Sequence, residues 1–264
     1  MLTDAELDDC AALMAEVAGR AMERIVAERP RPEQVATKTN EADWVTETDL
    51  AVERLARDAI AHRFPGHRIV GEEFGSSGAE DADATWLIDP VDGTTNYVHG
   101  LPVSSFSLCV SDEAGPAAGL VADPYRRDML SAVRGRGALR NGAPVRCSDA
   151  ATLMGGIVLT ELSGQTLWDG MTELMAALAE AGCVTRIMGS NAFSVAAVAT
   201  GQTLATVIGR LNPGDCLAGM LIAAEAGATV RGLSGPPREG ELLLCSAPGV
   251  ADALLPLVPA PEAA

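Results

Sequence analysis

Trp86-Leu-Ile-Asp-Pro-Val-Asp-Gly-Thr-Thr-Asn-Tyr-Val-His-Gly-Leu-Pro102 begins as an apolar strand and turns polar within four residues. The run Thr85 to Ile88 leads directly into Asp89-Pro90-Val91-Asp92. A proline between two aspartates at a strand exit limits the directions in which the side chains can leave, so both carboxylates can face one point. The Val91 carbonyl can face it too. Carboxylates with a backbone carbonyl make a hard oxygen donor set, suited to Mg²⁺ rather than zinc. Gly93-Thr94-Thr95 follows, where glycine permits close backbone approach and N–H groups at a helix start can receive an anion. Read locally, a second account stands beside the metal site: Asp89 caps a turn and Asp92 is solvated.

Outward from this stretch, two further acids occupy similar places. Glu72 follows a short β-branched strand, His67 to Val70, and a glycine. Asp215 follows Pro213-Gly214 near a helix start. Clustered carboxylates without a cation repel one another and raise one another's pKa. The formal charge of −17 sharpens the point, because a phosphate-bearing ligand is repelled unless cations intervene. The same charge argues against nucleic acid and anionic membranes as partners.

The pattern along the chain predicts an α/β protein. Thr3-Asp-Ala-Glu6 reads as a capping box opening a helix toward Glu28, with Leu7, Leu13, Met14, Val17, Met22 and Ile25 buried, and Pro30 and Pro32 ending it. Lys38 to Val45 reads as extended. Thr46 or Thr48 caps a second helix through Ala61, with Leu50, Leu55, Ala59 and Ile60 inward. Residues 75–83 read as a surface loop. Phe106, Leu108 and Val110 alternate as in a half-buried strand. Strands at Ala117 to Ala122 and Met129 to Val133 continue a meander, and Asn141-Gly142 marks a tight turn. The second half alternates: strand Ile157 to Leu162, helix Leu167 to Ala181, strand Val184 to Met188, a helix capped by Ser190, strand Leu204 to Ile208, helix Cys216 to Ala226, and strand Glu241 to Cys245. One domain spanning 1–264 is expected, with a mixed half (1–145) and an alternating half (146–264). The acid-rich start is unlike a signal peptide and no long apolar run occurs; six scattered cysteines suit reduced thiols, so a cytoplasmic location is expected.

The stretch Trp86 to Pro102 resembles the signature of the inositol monophosphatase family. Asp43-Trp-Val-Thr-Glu-Thr-Asp49, Gly71-Glu-Glu73, Gly214-Asp-Cys-Leu-Ala-Gly219 and Glu225-Ala-Gly227 are similar to its other blocks, in order. The resemblance implies a layered αβαβα sandwich of the inositol monophosphatase and fructose-1,6-bisphosphatase type. It also implies a homodimer, Mg²⁺ as cofactor (two or three ions per site) and inhibition by Li⁺. By position it implies Glu72, Asp89, the Val91 carbonyl, Asp92 and Asp215 as metal ligands. Thr94 and Asp43 match a hydroxyl–carboxylate pair near the attacking water, with Glu72 alongside. Gly93 and Thr94 match phosphate-binding amides, and Gly189 and Ser190 a helix start bordering substrate. Lys38 falls where the family often has a lysine.

Two departures concern the leaving alcohol. Gly214 stands where the family usually has Trp, and Ile208 where inositol-hydrolysing members often place a sugar-binding glutamate. Arg210 and Asn212 are polar candidates nearby, and Leu162-Ser-Gly-Gln165 differs from the usual wall. Glu161 either reaches the site or is structural; His62, His67 and His99 have no nucleophile partner in view. The expected function is Mg²⁺-dependent hydrolysis of a small polyol or sugar phosphate such as inositol 1-phosphate. Histidinol phosphate, fructose 1,6-bisphosphate and a bisphosphonucleotide are alternative substrates. A regulatory, partner-binding protein of the same fold is the alternative of another class.

Overall fold

The structure is a computed structural model that describes residues 1–28, 30, 35–37 and 44–259. Pro32, Lys38 and Asp43, and most of the stretch expected to be extended between 38 and 45, lie outside the described residues. Helix α1 (Asp4–Ala27) opens on the predicted box: the Thr3 hydroxyl accepts from the Glu6 N–H at 3.3 Å, and the Glu6 carboxylate accepts from the Thr3 N–H at 2.7 Å. Its buried stripe includes Leu7, Met14, Val17 and Ile25, while Leu13 and Met22 are only partly covered. Strands β1 (Ala36–Thr37) and β2 (Trp44–Val45) pair antiparallel.

Helix α2 (Glu47–Arg63) starts at Thr46, not Thr48: the Thr46 hydroxyl accepts from the N–H groups of Thr48 and Asp49, and the Asp49 carboxylate accepts from the Thr46 N–H at 2.9 Å. Its buried face is Asp49, Val52, Glu53, Ala56 and Ile60, so of the expected stripe only Ile60 is fully buried. Two carboxylates occupy positions that hydrophobicity alone assigns to solvent.

Eight strands form the first sheet, in the order β10-β9-β8-β7-β6-β5-β3-β4. They are β3 (Arg68–Gly71), β4 (Gly75–Ser77), β5 (Thr85–Asp92), β6 (Ser105–Asp112), β7 (Gly115–Asp123), β8 (Asp128–Val133), β9 (Ala138–Arg140) and β10 (Ala143–Val145). Short helix α3 (Thr94–His99) follows β5. Part of the expected loop at 75–83 is therefore strand, β4 pairing antiparallel with β3. Asn141 and Gly142 take φ of 50° and 81°, the left-handed pair that joins β9 to β10. Strand β6 is buried from Ser105 to Val110 rather than alternating, because both its faces are covered.

The second sheet runs β12-β11-β13-β15-β14, from β11 (Ile157–Glu161), β12 (Val184–Arg186), β13 (Ala205–Ile208), β14 (Thr229–Arg231) and β15 (Leu243–Ser246). Its helices are α4 (Met171–Glu180), α5 (Asn191–Ala197), α6 (Pro213–Glu225) and α7 (Ala251–Leu254). The segment from Leu167 to Gly170, expected as helix, is not helical, and α6 begins three residues earlier than expected.

Four apolar interfaces separate five layers. One face of the first sheet (Trp86, Ile88, Phe106, Leu108) packs on α1 and α2. Its other face (Cys109, Val121, Ala132) meets Ala192, Ala196, Ala218 and Ile222 of α5 and α6. The reverse sides of α5 and α6 pack on Ile208, Leu243 and Cys245, and the far face of the second sheet covers Met171, Leu174, Leu178 and Leu254 of α4 and α7. This is the expected αβαβα sandwich. Its central helices are built of small residues because they are enclosed on both sides: a Cβ on Gly119 of β7 would stand 3.0 Å from the Ala218 Cα, and one on Gly219 3.0 Å from the Val195 Cβ. The 3% aromatic content agrees with such close approach. Among the described residues no helix is long and apolar enough to cross a membrane.

Candidate active site

Parallel pairing of β3 and β5 sets Gly71 opposite Ile88, and the Glu72 N–H bonds the Ile88 carbonyl at 3.2 Å. Glu72 and Asp89 consequently leave the sheet side by side, close enough for the Glu72 charge to act on Asp89. Asp89 is 3% exposed and its Oδ1 has no hydrogen-bond partner. Such an atom is costly to bury unless something fills its coordination. The β5–β6 register breaks between Asp89 and Asp92, which turns Asp92 toward the second half of the chain.

There Asp92 meets the start of α5. It accepts from the Asn191 N–H at 3.1 Å, the Ala192 N–H at 2.8 Å, the Ser105 hydroxyl at 3.2 Å and the Ser190 hydroxyl. Ser190 stands at the predicted cap position but makes no cap bond to its own helix; its hydroxyl serves Asp92 instead. Asp215 is the third residue of α6, where a carboxylate is favoured by the helix dipole. Asn212 donates to it at 2.7 Å and Asn191 at 3.1 Å.

Loss of hydration and mutual repulsion act together on these acids. Burial, then the charges of Glu72, Asp92 and Asp215, push Asp89 well above the usual carboxylate range. Burial raises Asp92 to about 6 against the pull of its four donors. Burial and the charges of Asp92 and Glu72 raise Asp215 to about 7. Among the described residues no three His, Cys, Asp or Glu side chains close around one point as they stand. The acids are electrostatic neighbours, not a closed cage. Their donor set is nevertheless all oxygen, with an orphaned acceptor at Asp89 and a Val91 carbonyl that accepts from the Thr94 hydroxyl at 3.0 Å. That set fits a hard divalent cation.

The carboxylate that the structure places on Thr94 is Asp49, whose Oδ1 accepts from the Thr94 hydroxyl at 3.3 Å. Asp43, expected as this partner, lies outside the described residues. The signal for Asp49 was present in the sequence as the fourth residue of the cap Thr46-Glu-Thr-Asp49. Gly93 has φ of 88°, and a Cβ there would stand 2.7 Å from the Gly189 carbonyl, so this glycine is needed for both its conformation and its contact. Asn96 ties the same two segments by donating to the carbonyls of Val103 at 2.8 Å and Met188 at 2.7 Å.

Two buried carboxylates hold the frame. Glu161, at the end of β11, accepts from the N–H groups of Met188 (3.0 Å) and Gly189 (2.7 Å) and from the Ser194 hydroxyl (2.5 Å); burial raises it to about 7. Glu53, fully buried, accepts from the Glu73 N–H at 2.6 Å, the Phe74 N–H at 3.1 Å and the Arg57 guanidinium at 2.7 Å, fixing the chain just past Glu72. Asn191, Asn96 and Glu53 were not singled out from sequence, since one asparagine or one helical glutamate has no local signature. His67 accepts from the Trp86 indole at 3.0 Å and His99 lies tilted against the Trp44 ring at 5.2 Å, packing contacts for both.

A cavity of about 740 Å³ opens over the acids. Glu72, Asp92, Thr94 and Asp215 line it, together with Gln165, Arg210 and Asn212. Ile208 does not line it: the side chain is 2% exposed and packs between α5, α6 and the second sheet. Arg210 and Asn212, the polar candidates nearby, do line it. A smaller cavity of about 280 Å³ lies behind Glu72 and Asp89, bordered by Gly214.

A layered sandwich whose two sheets send buried carboxylates into one cavity describes a class of phosphate-handling hydrolases. The profile described as "Inositol monophosphatase family" matches residues 6–258, and the chain belongs to that family. Its members are phosphatases, acting on phosphoric monoesters. Human "Inositol monophosphatase 2" is 32% identical over 248 residues, covering 90% of this chain and 84% of that protein. The Thermotoga maritima "Fructose-1,6-bisphosphatase/inositol-1-monophosphatase" is 36% identical over 207 residues, covering 78% and 77%. A solved inositol monophosphatase structure from Thermotoga maritima superposes with a TM-score of 0.85 at 30% identity, covering 95% of this chain and 96% of that one.

Proposed function

We propose that this protein hydrolyses a small polyol or sugar phosphate with Mg²⁺ as cofactor. The observation that carries the reading is a cavity large enough for a sugar phosphate, lined by Glu72, Asp92 and Asp215, with the buried Asp89 beside them, its Oδ1 without a partner and its pKa raised. Glu72, Asp89, the Val91 carbonyl, Asp92 and Asp215 would hold the metal. When bound, Mg²⁺ supplies charge for the phosphoryl oxygens and lowers the pKa of a coordinated water.

The chain's own groups do the rest. Thr94 has a single hydroxyl proton and two acceptors within reach, Asp49 at 3.3 Å and Val91 at 3.0 Å. Its oxygen keeps a lone pair with which to accept from an attacking water, and Asp49 can take up the proton that moves along the pair. Glu72, on the same wall, orients that water from its other side. The N–H groups of Gly93 and Thr94, at the start of α3, are free of helical bonding and suit a phosphate. Glu161 fixes Gly189 and so sets Ser190 and the α5 amides against Asp92. Direct in-line attack by water needs no phosphoenzyme, and neither Cys nor His stands among the described residues lining the cavity.

Inhibition by Li⁺, homodimerisation and a cytoplasmic setting belong to the same reading; six free cysteines agree with a reducing compartment. Phosphate release in Mg²⁺ across inositol, sugar, histidinol and nucleotide phosphates is the test. Turnover of a polyol or sugar phosphate above the others supports the reading. A preference for histidinol phosphate or a bisphosphonucleotide would move the substrate class, and no turnover of any ester would leave the regulatory alternative.

A further inference from the structure

Asn191 is the first residue of α5, and it reaches two of the acids at once. Its backbone N–H is one of the first donors of the helix, without a partner inside it, and goes to Asp92 Oδ1 at 3.1 Å. Its side-chain Nδ2 goes to Asp215 Oδ2 at 3.1 Å. Asp92 ends β5 of the first sheet and Asp215 lies in the first turn of α6, so one residue ties acids from separate layers. The other oxygen of Asp215 accepts from Asn212 at 2.7 Å. With a donor on each oxygen the direction of the carboxylate is set, and each oxygen keeps lone-pair capacity for a cation.

As a fold contact the Asn191 side chain is a poor choice. An ionised carboxylate only accepts, so the NH₂ of the amide faces Asp215. The amide Oδ1 is then left buried with no hydrogen-bond partner, which costs stability. Asparagine is also a weaker helix former than alanine, which stands at 192, 196 and 197 of the same helix. The bond to Asp92 needs only the backbone, and an alanine at 191 would keep it. What the side chain alone supplies is the donor to Asp215.

We propose that Asn191 is a positioning residue for the cation: its side-chain amide holds Asp215 in place for a divalent ion, and so sets the affinity for that ion while adding nothing to the stability of the ion-free fold. The inference rests on the Mg²⁺-dependent phosphatase reading above.

The test is calorimetric titration of Mg²⁺ into the full chain stripped of metal, wild type against Asn191→Ala, with Tm in chelator and steady-state kinetics on the best ester of the panel above. Asn191→Ala should weaken Mg²⁺ binding by roughly 10- to 100-fold, as for loss of a partner that orients a metal ligand. Its Tm in chelator should equal or exceed that of the wild type. At saturating Mg²⁺ most of kcat should return, with KM for the ester unchanged. Asn191→Asp keeps the shape, removes the donor and sets a second charge against Asp215, so it should lose Tm in chelator and regain it in Mg²⁺. Equal Mg²⁺ affinity in the wild type and Asn191→Ala would overturn the inference. So would a raised KM at unchanged Mg²⁺ affinity, which would make Asn191 a contact of the ester, or an Asn191→Asp variant as stable in chelator as the wild type. A wild type that takes up no Mg²⁺ is a separate pattern, which removes the metal-dependent reading and the inference with it.

Discussion

Asp92→Asn keeps the shape of the side chain and removes its charge, and the surroundings of Asp92 allow the outcome to be worked out. In the wild type the carboxylate accepts four donors, three at Oδ2 and the Asn191 N–H at Oδ1. An asparagine can keep its oxygen at the Oδ2 position, which sets its NH₂ against the Asn191 N–H and leaves that donor unpaired, at a cost of about 1–3 kcal/mol. Against this, burial raises Asp92 from 3.8 to about 6. A folded-state pKa above the unfolded value means that the folded wild type loses stability as pH rises from about 4 through 6, and the loss is complete above that. The roughly two-unit difference corresponds to about 3 kcal/mol of unfavourable ionisation that the variant does not carry. At pH 8 in chelator the two effects offset, and the variant should unfold in urea within about 2 kcal/mol of the wild type. At pH 5, where the wild-type carboxyl is mostly protonated when folded, the variant should fall further behind. Mg²⁺ should raise the Tm of the wild type and not of the variant, because a metal that binds the folded state stabilises it. Phosphate release should drop at least about 100-fold, the upper range seen when mere supporting partners of a metal ligand are lost. A variant equally impaired at both pH values would refute the raised pKa. One that kept its activity and its Mg²⁺-dependent Tm would refute the metal assignment.

Other substitutions probe the frame. Gly93→Ala places a Cβ 2.7 Å from the Gly189 carbonyl at φ of 88°, so a loss of about 1–3 kcal/mol is expected in urea unfolding, with activity falling alongside. Thr94→Val, which removes the hydroxyl shared with Asp49 and Val91, should reduce kcat by about 100-fold or more while leaving the circular dichroism spectrum and KM near wild type. Glu53→Ala removes the carboxylate partner of Arg57 and strands the amides of Glu73 and Phe74; unfolding should show a loss of about 3–5 kcal/mol, and calorimetry a weaker Mg²⁺ affinity through Glu72. Gly214→Ala meets nothing closer than the Asn212 Oδ1 at 3.6 Å and lies within α6, so it should gain about 0.4–1 kcal/mol without changing kcat.

The strand exit at Asp89 and Asp92, the cap of α1, the tight turn at Asn141-Gly142 and the order of strands and helices from β11 to α6 were legible because each has a local cause, whereas β14 and α7 were not anticipated. A proline between acids, a Thr-x-x-Glu box and an Asn-Gly pair act over a few residues. What escaped was decided across the fold. The burial of β6 on both faces depends on α1 and α6, which lie far from it in sequence. Glu53 sits on an inward face of α2 because it finds backbone donors past Glu72, and hydrophobic periodicity has no term for that. Ser190 was rightly placed at a helix start but assigned its helix as partner, whereas tertiary contact gives its hydroxyl to Asp92. Ile208 was read as a departure from the family pattern, and it is buried in the helix layer; Arg210 and Asn212, named as polar candidates nearby, line the cavity. Asp49, finally, was written in the same cap that started α2, and only the packing of α3 against that helix start reveals its second use on Thr94.

The central claim is that the buried acids make a metal site whose occupancy drives ester hydrolysis, and its most direct measurement is phosphate release from inositol 1-phosphate by chelator-treated protein as Mg²⁺ is titrated back. The account predicts no release without the ion, a saturable return of activity with it, and loss of that return in Asp89→Asn. Release that proceeds equally in chelator, or an Asp89→Asn variant that responds to Mg²⁺ as the wild type does, would contradict it.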